Sequence, residues 1–126
     1  MKRLILGLGL VALAAVSTAC SGATAAPSDG PAASVPPGAV TIVAKDLAFS
    51  PTAVTVPADE PVTIVMDNQE DAPHNIYVKD STGADVFKGE IVSKRQITYT
   101  IDPLTAGTYP FICEVHPDMT GTITAE

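Results

Sequence analysis

Two hydrophobic patterns divide the chain. From Leu4 to Val16 the apolar residues and glycines run without a break, whereas beyond Val40 they recur at a spacing of two. Val40, Ile42 and Ala44 start that pattern, and Val54 and Val56, then Val62, Ile64 and Met66, continue it. Ile76 and Val78, and later Ile97, Tyr99 and Ile101, repeat it. A period of two puts such residues on one face of a strand, and no stretch shows the 3.6-residue period of an amphipathic helix. Turn-forming residues separate the runs: Ser50-Pro51, Pro57-Ala58-Asp59, Ser81-Thr82-Gly83, Asp102-Pro103 and Ala106-Gly107. Seven or eight short strands in residues 40–126 predict an all-β domain, an antiparallel Greek-key β-sandwich.

The uninterrupted run has a different meaning. Thirteen residues after Met1-Lys2-Arg3 are too few to span a bilayer, but they match the apolar centre of an export signal. Residues 1–20 are therefore expected to be a signal peptide. Ser17-Thr18-Ala19-Cys20-Ser21-Gly22 resembles a bacterial lipoprotein cleavage box, which would leave Cys20 as a lipid-bearing N-terminus. Cleavage after Ala23-Thr24-Ala25 competes with it and would release a soluble, secreted protein. Residues 21–39, rich in Ala, Ser and Pro, read as a flexible tether with an extended reach of about 60 Å. The exported domain would then sit on the outer face of the cell membrane, or be periplasmic.

Charge narrows the partners. The chain carries a formal charge of −7, and loss of Lys2 and Arg3 makes the mature protein more acidic still. That balance argues against nucleic acid, whose phosphates need clustered Lys and Arg. It would steer the protein towards a basic partner, and it serves solubility equally well.

The cysteines sharpen the picture further. Cys20 is lipidated or removed in either cleavage, so Cys113 is left without a disulfide partner in an exported domain. It ends the run Tyr109-Pro110-Phe111-Ile112-Cys113, in which Tyr109, Phe111 and Cys113 share a face. Pro110 fits that strand only at an edge or a bulge. Cys113, His116 and Met119 then follow one another at intervals of three in a tight loop. The only other histidine, His74, lies in Pro73-His74-Asn75 after the acidic run Asp67-Asn68-Gln69-Glu70-Asp71. Each residue alone is ordinarily core filler or surface, but together they make one ligand pattern. Thiolate, thioether and two imidazoles favour copper over oxygen-seeking ions, and suit zinc less well because of the methionine. Two His, one Cys and a weak Met is the donor set of a blue-copper electron-transfer site. The acidic run lacks the spacing of a calcium loop and reads as solvated, with a place in a partner surface as the alternative.

Cys113-x-x-His116-Pro117-x-Met119-x-Gly121 resembles the ligand loop of the short-loop cupredoxins, amicyanins in particular. Pro73-His74-Asn75 is similar to the first ligand segment of plastocyanins, pseudoazurins and amicyanins, and the likeness covers residues 40–126. The resemblance implies that Nδ1 of His74 and His116 and Sγ of Cys113 form a trigonal plane, with Met119 Sδ axial. It implies that Asn75 ties the two ligand segments together and that His116 reaches an apolar surface bordered by Pro73 and Pro117. One copper ion, cycling between Cu(I) and Cu(II), would pass electrons between redox protein partners. The chain is expected to be a monomer and not an enzyme, because two histidines cannot furnish a second, substrate-binding copper centre. An extracytoplasmic copper carrier or buffer would use the same ligands and is the competing reading.

Overall fold

The computed structural model describes residues 35–126; the export signal, Cys20 and most of the proposed tether lie outside the described residues. Among the described residues there are nine strands and no α-helix. They are β1 (Val40–Lys45), β2 (Ala48–Ser50), β3 (Ala53–Val56), β4 (Val62–Asn68), β5 (Tyr77–Lys79), β6 (Asp85–Lys88), β7 (Gln96–Ile101), β8 (Gly107–Ile112) and β9 (Thr120–Ala125). One sheet has the order β2-β1-β4-β7 and the other β3-β9-β8-β5-β6. The expected all-β sandwich is present, with two refinements.

Strand count exceeds the seven or eight expected, and residues 48–56 contribute two strands, one to each sheet. β2 pairs with β1, whereas β3 pairs with β9, so the chain crosses between sheets at Ser50-Pro51, a cis peptide bond. The second refinement is direction. Most ladders are antiparallel, but β1 runs parallel to β4 and β3 parallel to β9. Both parallel pairs join strands distant in order, as long connections require.

Apolar positions at the period of two face inward as expected. Ile42, Ala44, Ile64, Met66, Val78 and Ile123 are fully buried, and Phe49 of one sheet packs on Phe111 of the other with ring centroids 5.3 Å apart. Each such side chain contributes on the order of 1.5–3 kcal/mol by leaving water. Gly121 lies against this contact: a Cβ there would enter the Phe111 ring, so β9 approaches β8 only because the residue is glycine.

Pro110 also finds its place. β8 lies inside its sheet, but β5 pairs with it only at Ile112 and Phe111. At Pro110 the strand has a neighbour on the β9 side alone, so a missing N–H disrupts no second ladder. The strand that delivers Cys113 is thus flanked on both sides at its C-terminal end and on one side at its start.

Candidate metal centre

Cys113 follows β8 directly, and the next residues fold back on themselves. The Cys113 N–H donates to the Met119 carbonyl at 3.0 Å, and the Met119 N–H to the His116 carbonyl at 2.9 Å. These two bonds close the loop before β9 starts at Thr120, so the spacing of three produces a compact turn. The first histidine arrives from the other side. His74 exchanges two backbone hydrogen bonds with Val92, at 3.0 and 2.9 Å, in an isolated bridge that precedes β5.

The two segments bring three donor atoms together. His74 Nδ1 lies 3.6 Å from Cys113 Sγ, His116 Nδ1 lies 3.9 Å from the same sulfur, and the two nitrogens are 3.2 Å apart. The point equidistant from these three atoms is about 2.1 Å from each, within the range of metal–nitrogen and metal–sulfur bonds. His74 and Cys113 are fully buried, while His116 is half-buried. Met119 is buried as well, at the end of the same loop. The donors therefore fit a small, soft-to-intermediate metal ion held by two imidazoles and a thiolate.

Asn75 links the segments that carry His74 and Cys113. Its Oδ1 accepts the Glu114 N–H at 2.9 Å, immediately after Cys113, and its Nδ2 donates to the Gly89 carbonyl at 3.0 Å. Tyr99 supports the far side of that bond. Its hydroxyl donates to the Glu90 carbonyl at 2.6 Å, and its ring lies so close to Gly89 that no Cβ would fit. Burial first, then the Glu90 charge, push the Tyr99 phenol well above its ordinary pKa, so it remains a donor.

The acidic run departs from its expected role as a solvated loop. Asn68 is buried, donates to the Ala72 and Val92 carbonyls at 2.8 Å each, and accepts the Glu70 N–H at 3.0 Å. Glu70 turns inward, with Oε1 2.7 Å from His74 Nε2. The same oxygen accepts the Leu47 N–H at 3.1 Å. That amide is the main reason the Glu70 carboxyl titrates below its usual range; partial burial opposes it and the His74 imidazole adds to it. Sequence reasoning missed Glu70 as part of the site. Its four-residue distance from His74 was the available signal, but in an irregular loop that spacing specifies no geometry.

Comparison with known proteins points to one family. Residues 9–125 match the family model of the cupredoxin-like domain. Amicyanin of Paracoccus versutus is 36% identical over 96 residues, which span 75% of this chain and 70% of that protein. Its crystal structure superposes with a TM-score of 0.60 at 34% identity, covering 73% of this chain and 85% of that one. A Met-to-Ala variant of amicyanin in a Cu(I) state has a TM-score of 0.59 at 26% identity, covering 73% of this chain and 86% of that one.

Proposed function

The chain belongs to the cupredoxin-like family, and from that premise we propose that it is a type 1 copper protein that carries single electrons between redox partners outside the cytoplasm. The observation that carries this reading is the buried triangle of His74 Nδ1, Cys113 Sγ and His116 Nδ1. The cofactor is one copper ion. His74, Cys113 and His116 would hold it, with Met119 as the weak fourth ligand from the same loop. Bound there, copper supplies a one-electron Cu(I)/Cu(II) couple.

The chain's own residues suit that task. Backbone bonds close the 113–119 loop, a backbone bridge pins His74, and Asn75 bonds one segment to the other. Donors fixed in this way move little when the charge of a bound ion changes, which keeps electron exchange fast. Cys113 and His74 are shielded from water, so His116 is the ligand nearest to a partner. Exposed Val115 and Pro117 flank it in sequence and offer an apolar docking rim. Four protein donors leave no open position for a substrate, which supports a carrier of electrons over an enzyme.

The export signal at residues 1–20, lipidation of Cys20 and the tether at residues 21–39 belong to the same proposal. They would hold a monomeric domain on the outer face of the membrane, within reach of redox proteins. Mass spectrometry of the mature N-terminus tests the anchor: a diacylated Cys20 supports it, and an N-terminus at Ala26 contradicts it. For the metal site, Cu(II) loading should give an intense thiolate-to-copper visible band that Cys113→Ser abolishes. A band that persists in the variant would overturn the ligand assignment. Copper transfer to an apo acceptor faster than electron exchange would establish a copper carrier instead.

A further inference from the structure

Lys79, Lys88, Lys94 and Arg95 each stand in an ion pair, and one of the four pairs differs from the rest. Lys88 Nζ lies 2.6 Å from Glu114 Oε1. The Glu114 side chain is 36% exposed, whereas those of Asp85, Glu90 and Asp71, the acids of the other pairs, are 67–87% exposed. Glu114 also follows Cys113 directly, so among these four pairs this one alone joins the segment that delivers the thiol.

Lys88 has to cross a strand to get there. It ends β6 and stands beside Tyr77 of β5, which in turn stands beside Ile112 of β8. Its ammonium lies 5.5 Å from the centre of the Tyr77 ring, within cation–π range. The Glu114 carboxylate raises the Lys88 ammonium above its ordinary pKa, so it stays charged.

A ring of contacts closes here. The Glu114 N–H donates to Asn75 Oδ1 at 2.9 Å, and Glu114 Oε2 lies 3.5 Å from Asn75 Nδ2. Nδ2 donates to the Gly89 carbonyl at 3.0 Å, and Gly89 follows Lys88 in the chain. The Gly89 N–H in turn donates to the Ile76 carbonyl at 2.9 Å. The end of β6, the segment of His74 and the segment of Cys113 thus form one circuit, with the ion pair as its outermost link. Exposed ion pairs contribute little as a rule, because two long side chains must be ordered to form them. The Tyr77 ring and Asn75 already restrict both partners here, which reduces that cost. Charge matters as well as position. A carboxylate next to a thiolate is a second negative charge, and the ammonium cancels it.

We propose that Lys88 is a positioning residue of the metal loop, acting through Glu114: it closes the circuit around Asn75 and cancels the carboxylate charge beside Cys113. The proposal rests on the reading of Cys113 as a copper ligand. An uncancelled carboxylate favours the higher charge state of a bound ion and lowers the reduction potential, and an uncancelled ammonium does the reverse.

Charge variants should therefore act with opposite sign. At low salt, Lys88→Met should lower the potential of the copper-loaded protein and Glu114→Gln should raise it, with the double variant returning towards the parent. Lys79→Met also removes a positive charge from the Tyr77 ring, but one paired with Asp85, and should shift the potential less. The metal-free protein gives an independent readout. Exchange of the Glu114 amide proton, followed by NMR, should quicken by about 2- to 5-fold in Lys88→Met. Lys88→Arg keeps the charge and should stay near the parent in both measurements. Shifts of the same sign in Lys88→Met and Glu114→Gln, or equal shifts in Lys88→Met and Lys79→Met, would overturn the charge role. Unchanged Glu114 exchange in Lys88→Met would overturn the positioning role. If the parent protein gives no thiolate-to-copper band, the copper reading fails, while amide exchange in the metal-free protein still judges the circuit.

Discussion

The two ends of β8 are built with the same turn chemistry and serve different purposes. At its start, near Gly107, the neighbouring β5–β6 turn is organised by Asp80. Its Oδ1 accepts the Thr82 N–H, the Thr82 hydroxyl and the Ala84 N–H at 2.7–2.9 Å, all within four residues. At its other end, beyond Ile112, Asn68 makes the same kind of bond to Glu70 two residues on. There the resemblance stops. Asn68 also reaches Val92, Asn75 reaches Gly89 and Glu114, and both amides are buried. The three buried polar residues among the described residues, Asn68, His74 and Asn75, all lie at this end. A buried polar group is costly unless it is bonded, and every one of these is. Long-range buried bonds fix segments of the chain relative to one another, whereas local exposed bonds only shape a turn. The end that must present donor atoms precisely uses the first kind.

The contrast can be broken by substitution, and the largest effect is expected at Asn75. Asn75→Ala leaves the Glu114 N–H and the Gly89 carbonyl without partners, which should cost about 2–4 kcal/mol in urea unfolding of the metal-free protein. A loss no greater than that of an exposed turn residue would erase the distinction between the two ends. Tyr99→Phe removes one hydrogen bond to the Glu90 carbonyl while keeping the ring against Gly89. The expected cost is about 0.5–1.5 kcal/mol by the same measurement.

Asp80→Ala sharpens the other side of the comparison. The turn is exposed, so the melting temperature should fall by no more than about 4 °C and the visible band should not change. Its pH dependence has a definite sign. The Thr82 hydroxyl, followed by the Ala84 and Thr82 amides, holds the Asp80 carboxyl below its ordinary pKa. The stabilisation is therefore fully present above the unfolded value of about 3.9 and is lost as pH falls through the lower folded value. Parent and variant should differ at pH 7 and draw together as pH falls through the lowered Asp80 value, as followed by thermal unfolding.

Much of this architecture can be read in the chain. The buried faces of β1, β4 and β7 follow the alternation of Ile42 with Ala44, Ile64 with Met66, and Tyr99 with Ile101. The ligand triangle is legible because Cys113, His116 and Met119 share one loop and His74 is the single remaining imidazole. Parallel pairing of β1 with β4 is not legible, since the side-chain period is two whichever way a neighbour runs. Val65 shows the same limit from another side. It is 1% exposed although Ile64 and Met66 already occupy the inward face, so its burial does not follow from the period of two. Glu70 was invisible for a third reason. An acid in a run of acids has the composition of solvated surface, and only the Asp46–Leu47 turn and the Asn68 amide direct it inward. Residue types foretold which side chains gather at the site; the loops decided which ones surround them.

Voltammetry of the copper-loaded protein tests whether this site exchanges electrons while keeping its metal. The expected result is a reversible one-electron wave, a visible band that bleaches on reduction and returns on oxidation, and full retention of copper over repeated cycles. An absent or irreversible wave, or release of the ion on reduction, would contradict it.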